Sequence, residues 1–199
     1  MRTAPIFAAA IGAALVSVPA ATPRAQDTNQ LRPPSAFAGI TDSQARSRAL
    51  FTEAAKVIMN PRCMNCHPAS DHPTQGNDLH VHWPPVSRGV GPCLTCHSDR
   101  NFTLMERASY RSIPGHPQWE MAPIEMAWQG KSAAEICRQI KDPQRNGGRT
   151  LEVLHDHLAK DDLIAWAWHP GEGRDPAPGT QEQLGELVRA WIDSGAVCP

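Results

Sequence analysis

Two short segments of the sequence carry the residue types best suited to chemistry. Cys63-Met64-Asn65-Cys66-His67 and Cys93-Leu94-Thr95-Cys96-His97 each place two thiols three positions apart, with an imidazole directly after the second thiol. Thiols at this spacing lie on one side of a helical turn, so both can react with neighbouring groups on one edge of a bound molecule. Imidazole is the commonest metal ligand among protein side chains. The pattern therefore predicts that each segment holds a metal-containing group.

The spacing Cys-x-x-Cys-His is typical of the attachment site of a c-type haem. The two thiols add to the two vinyl groups of one porphyrin edge, and the histidine becomes the proximal ligand of the iron. The sequence thus predicts two covalently bound haem c groups, held by Cys63, Cys66 and His67 and by Cys93, Cys96 and His97. Because the segments start 30 residues apart, we expect the two haems to lie near each other.

Two other uses of the four cysteines stay open. The pattern C-x2-C-x26-C-x2-C could hold one tetrahedral zinc ion, which would make the chain a zinc-stabilised binding module. A Cys-x-x-Cys pair can also carry out thiol–disulfide chemistry. Neither alternative calls for a histidine at the same offset after both pairs, so the repeated histidine favours haem.

Through these two segments the sequence resembles the c-type cytochromes. A looser similarity joins it to small dihaem proteins labelled as subunits of isoquinoline 1-oxidoreductase. The segments that carry this second resemblance are Arg138–Pro143, Arg145–Arg149 and Trp166–Gly171. The resemblance covers most of residues 45–199 and implies a molybdenum hydroxylase partner that passes electrons to the haems.

Further histidines could complete the coordination of the two irons. Between the two haem motifs we favour His82 over its neighbour His80 as a distal ligand of an iron. The alternative is that this histidine faces solvent or hydrogen-bonds a haem propionate. On a predicted helix, His155 and His157 flank an apolar stripe symmetrically, so periodicity does not choose between them. We favour His157, because the resemblance implies a histidine at that position.

Methionine is the other candidate ligand type. Met126 is the main thioether candidate and Met121 a weaker one; a Met/His iron has a higher potential than a bis-histidine iron. Tryptophans are expected to pack on the porphyrins or on each other. The arginines that could neutralise haem propionates are Arg88, Arg111, Arg138, Arg145 and Arg149.

The elements that must position these residues are mainly helical. Apolar periodicity and capping residues predict helices from Asp42 to about Met59, from Ser132 to Pro143, from Thr150 to Lys160, from Asp161 to Trp168, and from Thr180 to Gly195. No strand pattern competes with them. The predicted fold class is mainly α, a small dihaem cytochrome c with a helical C-terminal half.

Residues 60–130 lack periodicity and contain many prolines and glycines. Such a segment cannot bury enough apolar surface to offset roughly 1–2 kcal/mol of backbone entropy per ordered residue. We therefore expect it to wrap the haems, whose apolar faces would supply its core.

Residues 1–25 have the layout of a secretory signal peptide and its cleavage region, with cleavage after Ala20 favoured over Ala25. Residues 26–40 are predicted to form a flexible leader and residues 41–199 a single domain. The mature protein is expected in the periplasm, without a membrane span after cleavage.

Two cysteines remain after the haems take four, and in an exported protein Cys137 and Cys198 are expected to form a disulfide. The formal net charge of −1 and the lack of a basic run argue against a nucleic-acid partner.

The leading functional hypothesis is a periplasmic cytochrome that relays single electrons from a dehydrogenase to a downstream redox acceptor. The alternative is a haem enzyme, peroxidase-like, with one open coordination position.

Overall fold

A computed structural model describes residues 29–90, 93–103 and 112–199 of the chain, and the predicted signal peptide lies outside this part. The described fold is mainly helical. Its α-helices are α1 (Ser43–Ile58), α2 (Pro61–Met64), α3 (Ala133–Lys141), α4 (Leu151–Lys160), α5 (Asp162–Ala165) and α6 (Gln181–Asp193). Short 3-10 turns occupy Pro34–Phe37, Cys93–Thr95, Ile124–Met126 and Trp166–Trp168. None of the helices in these ranges is long and apolar enough to cross a membrane.

The helices form where capping residues and apolar periodicity predicted them. Asp42 caps α1 by accepting a hydrogen bond from the Ala45 amide, and Ser132 with Glu135 forms the expected capping box of α3. Thr180 caps α6 in the same way. The predicted segment 161–168 is split, because α5 continues as the 3-10 turn that contains two tryptophans.

One small sheet was not predicted. Strand β1 (Thr74–Gln75) pairs antiparallel with β2 (His80–Val81), with Thr74 opposite Val81 and Gln75 opposite His80. Strands of two residues are too short to show the alternation by which a strand is recognised. The hairpin lies in the loop-rich region that connects the two Cys-x-x-Cys-His segments.

The hydrophobic core lies where α1, α4 and α6 pack together. Phe51 and Trp191 are buried, and their ring centroids are 5.0 Å apart. Burial of such a side chain contributes about 1.5–3 kcal/mol. Gly185 lets α6 approach α4 closely, since a Cβ there would lie 2.7 Å from the Cβ of Ala159. The same cluster of buried residues includes Met64, Met126 and Trp128, so the packed helices and the first Cys-x-x-Cys-His segment share one core.

The expectation of a flexible leader is wrong for residues 29–40. Leu31 and Phe37 are buried in the core, and Arg32 binds the buried carboxylate of Glu53 through its backbone amide and its guanidinium. Burial by itself would raise the pKa of Glu53, but hydrogen bonds from Lys56 and Arg32 outweigh it and hold that pKa below its ordinary value. Two apolar anchors and one ion pair therefore fix the segment onto α1.

The structure joins Cys137 and Cys198 in a disulfide, with their Cα atoms 5.6 Å apart. The bond ties α3 to the C-terminal tail. Arg145, just beyond α3, donates to the carbonyl of Glu125 at 2.9 Å, and Gln139 of α3 donates to the same oxygen. The helical half thereby holds the turn Ile124–Met126, which contacts the first Cys-x-x-Cys-His segment.

Candidate haem site

Both Cys-x-x-Cys-His segments fold as single helical turns. In the first, Asn60 caps α2 and the His67 amide donates to the Cys63 carbonyl at 3.1 Å. In the second, the His97 amide donates to the Cys93 carbonyl at 3.0 Å. All four cysteines have free thiols. Each segment therefore adopts the helical turn that the spacing predicted.

Backbone hydrogen bonds fix residues 122–129 along the first motif. The Ala122 amide donates to the Cys66 carbonyl, and the Trp128 amide donates to the His67 carbonyl, both at 3.0 Å. This pairing joins segments about sixty residues apart in the sequence. It sets the surroundings of the His67 ring.

The His67 imidazole is oriented from two sides. Trp128 stacks on it with ring centroids 3.6 Å apart and planes 2° from parallel, and Nδ1 lies 2.7 Å from the carbonyl oxygen of Met126. Nδ1 then carries the proton, and Nε2 keeps the lone pair that a metal needs. Burial lowers the pKa of His67 to about 4; the Met126 carbonyl opposes this shift, and the charges of His157 and Arg88 add to it. The ring is neutral at physiological pH.

The second motif repeats this arrangement with different residues. An isolated bridge between Phe102 and Ile113 returns the chain to His97, whose Nδ1 lies 2.7 Å from the carbonyl oxygen of Pro114. Trp119 stacks on the His97 ring at 5.1 Å and 23°. The imidazole of each motif thus has one carbonyl at Nδ1 and one tryptophan on its face. The sequence predicted that tryptophans pack in the site but did not pair them with the two histidines.

His82 lies near His97, with ring centroids 5.9 Å apart and ring planes inclined at 54°. Its Nδ1 is 2.9 Å from the Pro84 carbonyl, which directs Nε2 away from that contact. A metal–imidazole bond is about 2 Å long, so two imidazoles on opposite sides of one ion have centres about 6 Å apart. Burial lowers the pKa of His97; the Pro114 carbonyl opposes this shift, and the adjacent His82 strengthens it. The separation suits two axial ligands of one metal.

His80 differs from His82 in that both of its ring nitrogens are used. Nδ1 lies 2.6 Å from Asp78 Oδ1, and Nε2 lies 3.0 Å from the Gln75 amide nitrogen. No lone pair is left for a metal in that arrangement. The preference for His82 over His80 therefore has a structural basis that spacing alone did not supply.

His157 stands in the last turn of α4, close enough to His67 for its charge to lower the pKa of that histidine. Its Nδ1 lies 2.8 Å from Asp161 Oδ2, which again leaves Nε2 for a metal. His155 instead approaches Asp156, at 3.3 Å. His157 thus acts electrostatically on His67, and its role as an iron ligand stays a prediction.

Met126 makes a different contact from the one expected. Its carbonyl, not its thioether, meets His67, and it does so at Nδ1, on the edge of the ring away from Nε2. The side chain is buried in the hydrophobic core cluster. Met126 therefore orients the His67 ring through its carbonyl, and a role of its thioether as an iron ligand stays a prediction. Met121, the weaker candidate, lines the cavity at the second motif.

A cavity of about 340 Å³ opens at the second motif. Thiols of both motifs reach it, since Cys66 lines it together with Cys93 and Cys96. The lining of this cavity also includes His82, His97 and Trp119, together with the buried side chain of Arg62. Thiols, paired imidazoles, an aromatic wall and a buried cation are the groups that a covalently attached haem would contact. The residues present fit that cofactor.

Of the expected arginines that the structure describes, Arg88 lies at the site. It affects the electrostatics of His67 and donates to the Ala122 carbonyl. Its buried Nε and Nη2 make no hydrogen bond, although Nε lies 3.9 Å from Asp71 Oδ1. Arg145 and Arg149 bind main-chain carbonyls, and Arg138 is exposed. Arg111 lies outside the described residues. The sequence-based expectations did not include Arg62. Its position directly before Cys63 could have indicated that it belongs to the site.

The first cysteine pair does not match thiol–disulfide chemistry, and the four cysteines together do not match one zinc site. Burial raises the pKa of Cys63 to about 12 and that of Cys66 to about 11, whereas thiol–disulfide chemistry depends on a lowered pKa. Among residues 29–90, 93–103 and 112–199, no three His, Cys, Asp or Glu side chains are grouped so that they could hold a metal ion. The four thiols are thus not gathered as one tetrahedral set.

Comparison of the chain with protein-family models, curated proteins and solved structures finds no match. The similarity to c-type cytochromes accordingly rests on the two Cys-x-x-Cys-His segments and stays a prediction. The geometry of the paired histidines is a separate line of support, because it comes from contacts between distant parts of this chain.

Proposed function

We propose that this chain is a dihaem c-type cytochrome that relays single electrons. The observation that carries the proposal is the repeated arrangement at the two motifs: a helical turn with two free thiols, and an imidazole whose Nδ1 is bonded to a carbonyl. When bound, haem supplies reversible one-electron exchange between ferric and ferrous iron.

The chain's own residues would hold and tune this cofactor. The two cysteine pairs would anchor it, and the histidine of each motif would bind iron through Nε2. His82 would be the second histidine ligand at the second motif and His157 at the first. Iron held by two imidazoles would have no position open for a substrate, which favours a relay over catalysis. The described loops between residues 60 and 130 would surround the cofactor.

The location and the partners follow from sequence features. The signal-like N-terminus together with the disulfide between Cys137 and Cys198 fits the bacterial periplasm, where disulfides persist. The donor would be a dehydrogenase, and the resemblance described above implies a molybdenum hydroxylase. The acceptor would be another redox protein.

A spectroscopic titration of the exported protein tests the relay. We expect two reversible one-electron steps, a fully low-spin oxidised form, and no binding of carbon monoxide by the reduced form. A partly high-spin oxidised form that binds carbon monoxide readily after reduction would contradict the relay, and would favour an enzyme with one open position.

A further inference from the structure

The wall of the cavity contains the guanidinium of Arg62, and only some of its N–H groups have hydrogen-bond partners in the protein. Arg62 in α2 is 3 % exposed. Its Nη2 donates to the Gly76 carbonyl at 2.8 Å and to Asn77 Oδ1 at 2.7 Å. These two bonds fix the plane of the guanidinium against the loop that precedes β2.

The remaining donors of Arg62 have no partner. Nε and Nη1 are buried, and neither makes a hydrogen bond. The nearby carboxylate of Asp175 accepts from the Asn77 amide at 2.7 Å instead. A buried charged donor without an acceptor destabilises a folded protein by several kcal/mol. An anion bound to the free donors of Arg62 would remove this destabilisation.

The chemistry of that anion follows from the donors of Arg62 that are left. An N–H group of a guanidinium makes a short, charge-assisted hydrogen bond to a carboxylate oxygen, and Nη1 or Nε can donate such a bond. The same cavity wall holds a second guanidinium, Arg174, and one exposed acid, Glu120. A carboxylate carried by a molecule in the cavity would meet a predominantly cationic wall.

We propose that Arg62 binds a propionate carboxylate of the haem attached at Cys93 and Cys96, and that its charge raises the reduction potential of that haem. This inference rests on the proposed function. Arg62 is here a positioning residue: it contacts the cofactor's carboxylate and acts on the iron through space. Its charge favours the ferrous state, which carries one positive charge fewer than the ferric state.

The test compares three variants of the full exported chain by potentiometric titration of both haems. Arg62→Gln removes the charge, Arg62→Lys keeps it, and Arg100→Gln removes an exposed charge beside the second motif. For Arg62→Gln we expect the reduction equilibrium constant of one haem to fall about tenfold, which for a one-electron couple is about 59 mV. Arg62→Lys should recover most of this shift, and Arg100→Gln should cause none.

Several outcomes overturn the proposal. An unchanged potential in Arg62→Gln does so, and so does an equal shift in Arg62→Lys, because the charge would then not be the cause. Each titration is repeated with added inorganic phosphate; a potential that depends on both Arg62 and phosphate would assign the site to a free anion. Haem content is measured first, so that an absence of covalent haem refutes the proposed function and is not confused with failure of this inference.

Discussion

Replacing His82 with alanine tests the pairing of axial ligands at the second motif. The ring centroids of His82 and His97 are 5.9 Å apart, and the Pro84 carbonyl holds the His82 ring through Nδ1. On the proposed function, loss of this imidazole would leave one iron of each chain without its sixth ligand. We therefore expect about half of the haem in oxidised His82→Ala to be high-spin, and about one carbon monoxide to bind per chain after reduction.

His80→Ala is the matched control, because the same residue type is removed two positions away. His80 uses both ring nitrogens in bonds to Asp78 and Gln75, so its loss should leave both irons low-spin. Electron paramagnetic resonance and carbon monoxide titration, both normalised to haem content, measure the outcome. A fully low-spin His82→Ala protein, or an equal effect in His80→Ala, would refute the geometric assignment.

The remaining predictions concern the scaffold. The disulfide between Cys137 and Cys198 closes a loop with a sequence separation of 61; replacing both cysteines with alanine should lower the free energy of unfolding in urea by about 4 kcal/mol. A loss below about 1 kcal/mol would show that the loop-entropy argument does not apply here. Glu53→Gln should destabilise the protein by about 1–3 kcal/mol at neutral pH. Folding lowers the pKa of Glu53, so the stability difference between wild type and Glu53→Gln is complete above the ordinary pKa of 4.5. The difference shrinks as the pH falls through the lowered pKa. A stability difference that grows in acid would contradict a lowered pKa. A Cβ at Gly115 would overlap the backbone carbonyl of Arg100, so Gly115→Ala should cost about 1–3 kcal/mol and disturb the second haem's spectrum. An unchanged spectrum and unfolding midpoint would contradict the close approach.

Local signals accounted for the parts of the fold that the sequence predicted well. The caps at Asp42, Ser132 and Thr180 lie within three residues of the amides they bind, so each helix start was visible in a short window. The same is true of the Cys-x-x-Cys-His turns. Their chemistry depends on residues that are neighbours in the chain.

The surroundings of these turns could not be predicted in the same way. Trp128 meets His67 across about sixty residues of irregular chain, and no periodicity places that segment. The choice of His82 over His80 depends on which ring nitrogens are already bonded. The segment with Leu31 looked like a leader because its burial depends on a distant helix.

The central claim is that this chain carries two covalently attached haems, and a pyridine haemochrome assay on protein exported to the periplasm tests it most directly. The account predicts two haems per chain in the wild type. It predicts one haem when the cysteines of either motif are replaced by alanine, and none when both motifs are changed. Wild-type protein that is folded, exported and free of covalent haem would contradict the account.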